Sequence, residues 1–245
     1  MILFVKLFLA HILGDFFWQP SKWVKHKEKH IAKSKFLYWH TLLHFALIWL
    51  ILFELSAWKI ALPIAFLHGV IDYLKLRFQT KKTKRKLFIY DQILHLFVII
   101  FASYFFTEYS NYTTLNLKNN IVLNQLLLYG TAILFVTKPS SIIIKNIISI
   151  WAPENEKKKD KNSLQNAGNY IGILERLFVL FFVIIGNFSA IGFILAAKSI
   201  FRFGDLTAAK DRKLTEYVLI GTLLSFAFAF TTGIITDFLN SFLIK

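Results

Sequence analysis

The sequence predicts an all-α integral membrane protein, a bundle of about eight transmembrane helices. Three observations carry this expectation. Hydrophobic residues make up 56% of the 245-residue chain, with 27 Phe among them, and the mean hydropathy is +0.54. A soluble domain of this length carries more charge and less Phe. Runs of roughly 15–20 residues lack charge, and in lipid such runs must satisfy their own backbone hydrogen bonds as helices. Period-two alternation is absent, which argues against an outer-membrane barrel.

The predicted apolar segments cover residues 1–19, 36–54, 57–76, 87–107, 121–138, 169–186, 188–203 and 214–239. The first lacks a basic leader and a small-residue cleavage site, so it is kept as a helix rather than a signal peptide. Pro139 interrupts the fifth, and SSIIIKNIISIW after it is expected to lie in the membrane plane. WVKHKEKHIAKSK, between the first two segments, reads as a basic connector on the membrane surface. Its His26 and His30 are expected to be solvated. No internal repeat is evident. The expected organisation is an N-terminal helical region over 1–151, a charged cytoplasmic linker over 152–168, and a C-terminal helical region over 169–245.

Net charge is +15. In a soluble chain that balance would point to nucleic acid. Here the Lys and Arg residues sit between apolar segments, so no nucleic-acid partner is expected. The connectors around Lys27, Lys84, Lys157 and Lys210 are expected on the cytoplasmic side. They alternate with the poorly basic ELSA turn, the TEYSNYTT loop and the turn at Gly186 and Asn187. The chain is thus expected to be multi-pass in a bacterial cytoplasmic membrane, with its N-terminus outside. The absence of cysteine rules out disulfides, thiolate metal sites and a cysteine nucleophile.

Each of the first four segments carries two ionisable residues spaced i, i+4: His11 and Asp15, His40 and His44, His68 and Asp72, Asp91 and His95. That spacing puts each pair on one helix face, about 6 Å apart along the axis. Counting from the expected cytoplasmic ends puts Asp15, His40, Asp72 and Asp91 at a depth of about 6 Å, and His11, His44, His68 and His95 at about 12 Å. A single His in a membrane helix often bonds a neighbouring carbonyl. Three aspartates at one depth need a shared partner, because each is costly there alone. A divalent metal supplies it, and His with Asp suits zinc, iron or manganese. All eight residues are predicted metal ligands, for one or two ions, most readily zinc. Asp15, Asp72 and Asp91 double as candidate catalytic bases or partners that orient the histidines. Gln19, Lys75 and Gln92 extend the polar stripes and are predicted substrate contacts, although Lys75 is expected rather to snorkel to the interface.

LAHILGDFFWQ, the basic segment with HKE, the H-x-x-x-H helix, HGVIDYLK and DQILHL succeed one another over about the first hundred residues. In these motifs the chain resembles a bacterial membrane family, domain of unknown function 3307. The resemblance implies an integral membrane protein with a metal site and supplies no reaction. In arrangement alone the pattern is similar to membrane-embedded metal hydrolases of the alkaline ceramidase and progestin-receptor group.

In the C-terminal segments Glu175, Arg176, Lys198, Arg202 and Glu216 are expected to form ion pairs that fix helix packing. The functional expectation for Arg176, Lys198 and Arg202 is that they grip an anionic head group. GNYIG has the spacing of a close helix contact. The leading expectation is a metal-dependent hydrolase of a lipid or other amphiphile. The alternative is a metal-ion or proton-coupled transporter. A di-iron oxidase and a docking partner for a soluble protein rank behind these.

Overall fold

The computed structural model describes residues 1–106, 120–152, 167–209 and 212–244, with the side chains of 201–209 and 212 excluded. The TEYSNYTT loop, most of the expected 152–168 linker, Lys210 and the Arg202 side chain lie outside the described residues. Among those described there is no strand. Ten α-helices are described: α1 Ile2–Ile12, α2 Ser21–His30, α3 Lys35–Leu52, α4 Trp58–Phe78, α5 Lys84–Phe105, α6 Ile121–Val136, α7 Lys138–Ile148, α8 Ala167–Ile184, α9 Phe188–Ala209 and α10 Arg212–Ile244.

The chain is an all-α polytopic membrane bundle, but with fewer spans than the sequence suggests. Among the described residues, six stretches are long and apolar enough to cross a bilayer: Lys35–Leu52, Leu55–Phe78, Lys84–Phe105, Ile121–Ile148, Ala167–Ile184 and Lys213–Ile244. A seventh exists if Ile2–Phe17 and Ser21–Lys33, which meet at an 84° bend, count as one span. The first expected segment is helical over Ile2–Phe17, about 24 Å, and counts as a span only together with α2, which follows the extended Pro20. In the expected seventh segment the helix α9 continues to Ala209, and its described side chains give an apolar helix over Phe188–Ile200.

The described chain divides into two compact units, Met1–Thr131 and Ala132–Lys245. In unit 1, α1 packs on α3 and α5, and α4 packs on the same two, closing a ring of four helices. Their outward faces are apolar and exposed, as at Leu50, Phe66, Phe97 and Phe101, while their inward faces bury His and Asp. This is the polarity of a bundle whose surroundings are lipid. One half of the ring is an apolar core of Leu3, Leu7, Leu47, Ile60, Ile64, Ile99 and neighbours.

In unit 2, α10 packs on α8 and α7, and α8 also contacts α9. A Cβ built on Gly233 would lie 2.6 Å from the Val183 side chain, so only glycine lets α10 approach α8 this closely. Pro139 cannot donate to the carbonyl four residues back, and the Ser140 hydroxyl bonds that Phe135 oxygen instead, at 2.7 Å. The chain therefore passes from α6 to α7 at Thr137 with few polar groups left open.

Candidate metal centre

Alternate helices of the unit 1 ring run in opposite directions. The i, i+4 pairs of all four therefore meet at common levels. His11, His44, His68 and His95 form one level, with ring centroids 6.0 Å apart for His11 and His44, 5.2 Å for His11 and His95, 3.6 Å for His44 and His68, and 4.0 Å for His68 and His95. This level abuts the apolar core. A cavity of about 20 Å³ between them, lined by the four histidines with Leu7, Ile48, Ile64, Val98 and Ile99, has room for about one water.

Asp15, His40, Asp72 and Asp91 form the next level. Asp15 sits at its centre, on a π-helical turn over Leu13–Phe17 that directly follows α1. The turn is closed by the Trp18 N–H donating to the Leu13 oxygen at 2.9 Å. π-turns inside helices concentrate at functional sites because they re-aim one side chain. Here the backbone at Gly14 lies against the His44 ring, which a Cβ would approach to 2.5 Å. Only glycine admits the imidazole there.

Asp15 Oδ1 is 3.0 Å from His44 Nε2, 3.1 Å from His40 Nε2 and 3.4 Å from His68 Nε2. His40 Nε2 and His68 Nε2 are themselves 3.2 Å apart. Asp15 Oδ2 is 3.9 Å from His11 Nδ1 and accepts from Gln92 Nε2 at 3.1 Å. On the other side of the level, His95 Nε2 lies 3.4 Å from Asp91 Oδ1 and 3.9 Å from Asp72 Oδ1. His95 Nε2 and Asp91 Oδ1 are both buried without a hydrogen bond, as is His40 Nδ1. Three sets of side chains have donor atoms close enough to share one ion: His11, Asp15, His44 and His68; His40, His68 and Asp72; Asp72, Asp91 and His95. Together they include all eight predicted residues.

The electrostatics differ from expectation. By sequence, three aspartates at one depth need a metal as common partner. Two of the three have lysine partners. Lys27 Nζ donates to Asp72 Oδ2 at 2.6 Å, and Lys75 Nζ to Asp91 Oδ2 at 2.8 Å. Lys75 also lies 3.7 Å from Asp72. It turns inward to carboxylates instead of snorkelling, because two of them outweigh the interface for one ammonium.

Lys27 is the member of this cluster that sequence reasoning missed. Its helix, α2, is basic and reads as solvated, yet Lys27 is only 4% exposed. Trp23, one turn earlier on the same face, stacks on Phe36 at 5.3 Å and turns that face towards the bundle. That i, i+4 pairing of Trp with Lys was the available signal. His26, expected to be solvated, is half-buried: it bonds Ser34 Oγ at 2.8 Å, packs edge-on against Phe36 at 5.0 Å and stacks on His30, which is exposed.

Gln19 and Gln92 complete the polar rim. Gln19 Nε2 is 2.8 Å from His40 Nε2, and Gln92 reaches Asp91 as well as Asp15. Of the predicted substrate contacts, Gln19, Lys75 and Gln92 thus join this cluster, whereas Arg176 and Lys198 belong to unit 2. There the expected ion pairing holds for Lys198, which donates to Glu175 Oε2 at 2.5 Å. Arg176 instead donates only to neutral oxygens: Val136 O at 2.5 Å, Thr137 O at 3.1 Å, Ser141 Oγ at 2.5 Å and Ser225 Oγ at 3.0 Å. It caps the end of α6.

Neither the curated proteins nor the solved structures compared with this chain include a match. A family model does match, over residues 3–124, and its span takes in every helix of the His/Asp ring. Over those residues the chain belongs to the family of proteins of unknown function DUF3307.

Proposed function

We propose that the chain is a membrane-embedded, metal-dependent hydrolase acting on a lipid or other amphiphile. One observation carries the reading. Asp15 Oδ1, His40 Nε2 and His68 Nε2 are separated by 3.1, 3.2 and 3.4 Å. Donor atoms on one tetrahedral zinc, at bonds of about 2.0–2.1 Å, lie about 3.3 Å apart. Two imidazoles and one carboxylate converging from α3, α4 and the π-turn after α1 fit such an ion, with His44 as the further ligand. Iron or manganese would accept the same donors. Charge supports a single ion. With neutral imidazoles, three carboxylates against two ammonium groups leave one negative charge. One divalent ion leaves one positive charge, and two would leave three.

A bound divalent ion supplies Lewis acidity and makes water nucleophilic near neutral pH. The chain's own groups would do the rest. Asp72 and Asp91, held by Lys27 and Lys75, are the bases able to take a proton. The two ammonium groups would offset negative charge developing on an ester or phosphoester oxygen. Gln19 and Gln92 present amide groups at the open rim, and the apolar core behind the histidines excludes water. The basic connectors support a rim facing the cytoplasm, in a bacterial inner membrane.

The test is elemental analysis of protein purified in detergent. About one zinc, iron or manganese per chain is expected, with loss of it in His68→Ala. Wild-type protein that is metal-free and unfolds at the same temperature with or without added metal would sink the proposal. The bend between Ile2–Phe17 and Ser21–Lys33 favours one second reading, transport, because broken spans bind ions in transporters. That reading expects metal-dependent flux in proteoliposomes with no turnover of any ester.

A further inference from the structure

Unit 2 holds a cavity of about 290 Å³, lined in part by charged side chains, with no part in the proposed hydrolysis. Its walls are the C-terminal part of α7, the start of α8, Lys198 of α9 and the first half of α10. Ligand pockets start at about this size.

Among the described residues, three cations line the cavity, Lys145, Arg176 and Lys198, against a single lining carboxylate, Glu175. Lys198 is the partner of that carboxylate. Arg176 is 4% exposed, and all its hydrogen-bond acceptors are neutral, so its charge is not cancelled by the groups that hold it. Lys145 is exposed and forms no hydrogen bond or ion pair among the described residues. The wall at α8 is bare. A Cβ at Gly168 would meet nothing within 4 Å, and one at Gly172 only the Arg176 guanidinium at 3.4 Å. The G-x-x-x-G spacing that suggests a close helix contact thus borders open space. Ser225 and Thr222 add hydroxyls to the lining.

Surplus positive charge, hydroxyl donors and exposed backbone in one concavity are the chemistry that recognises phosphate. The lining begins at the starts of α8 and α10 and reaches Lys198 midway along α9. We infer that this cavity binds a phosphate group, carried by a lipid head group or by a small soluble phosphate. Lys145 and Lys198 contact its oxygens, Lys198 by moving off Glu175. Arg176 stays on its carbonyls and contributes its field.

The test is isothermal titration of the full-length protein in neutral detergent. The probes are dihexanoyl-phosphatidylglycerol, dihexanoyl-phosphatidylcholine and glycerol phosphate. Saturable binding of one anionic probe per chain is expected, at least tenfold tighter than phosphatidylcholine. Binding of phosphatidylglycerol alone identifies the source as a lipid; equal binding of glycerol phosphate identifies it as the soluble phosphate. Lys145→Gln, at an exposed position that folding does not need, should weaken anion binding about fivefold to tenfold. Glu175→Gln, which releases Lys198, should tighten it severalfold. Equal affinity for phosphatidylcholine, or anion binding unchanged in both variants, would overturn the inference.

Discussion

Both units bury charged side chains among apolar helices, yet they accommodate them in different ways. In unit 1 the charges face one another: three carboxylates, two ammonium groups and five imidazoles brought together from α1, its π-turn and α2–α5. In unit 2 the most deeply buried charge, Arg176, faces backbone carbonyls and hydroxyls where α6 ends. The second arrangement closes a gap in a helix and leaves its donors used. The first leaves His40 Nδ1, Asp91 Oδ1 and His95 Nε2 without hydrogen bonds, although these are expensive atoms to leave unmet in a dry interior. Capping explains a buried charge by structure alone. A cluster drawn from four helices, with unmet atoms on α3 and α5, asks for something further to bind.

The comparison can be broken most forcefully at Asp15. Asp15→Ala deprives three Nε2 atoms of their common neighbour. It is expected to cost about 3–5 kcal/mol, as when a buried charged network loses a member, and to lower bound metal at least tenfold. Thermal unfolding and elemental analysis read the two effects. Lys27→Met should cost about 3 kcal/mol by the same reasoning, but with the opposite effect on metal. One more uncompensated carboxylate tightens cation binding, measurable by competition with a chelator. Arg176→Met leaves the Val136 carbonyl unmet and should cost about 1–3 kcal/mol with metal content unchanged. A loss of metal in that variant would end the distinction between the two regions. Gly14→Ala drives a methyl into the His44 ring and should cost about 1–3 kcal/mol, with weaker metal binding and normal helicity. Glu28→Gln, at the mostly exposed pair with Lys84, should change stability by less than about 1 kcal/mol.

Much of the unit 1 site was legible because α-helical spacing and alternating helix direction are both visible in a sequence. His44, His68 and Asp91 could be placed by counting from helix ends. What escaped was whatever depended on departures from that regularity. Lys27 looked solvated because its neighbours in SKWVKHKEKH are charged, and only the stacking of Trp23 on Phe36 fixes which face turns inward. The span count was too high in part because hydropathy does not show that the first helix covers only Ile2–Phe17, about 24 Å against a hydrocarbon core of about 30 Å. In unit 2 the cap by Arg176 depends on carbonyls freed near Pro139, and free carbonyls have no signature in composition.

The π-turn at Leu13–Phe17 amounts to one surplus residue in a helix, and it sets the angular phase between α1 and the Asp15 side chain. Deleting a single residue there would restore ordinary winding and rotate α1 by about 100° relative to Asp15. His11 and Asp15 would then point to different neighbours. Length within this short stretch is therefore a constraint beside the identities of Gly14 and Asp15, and substitutions at Leu13 should be tolerated where a one-residue deletion is not.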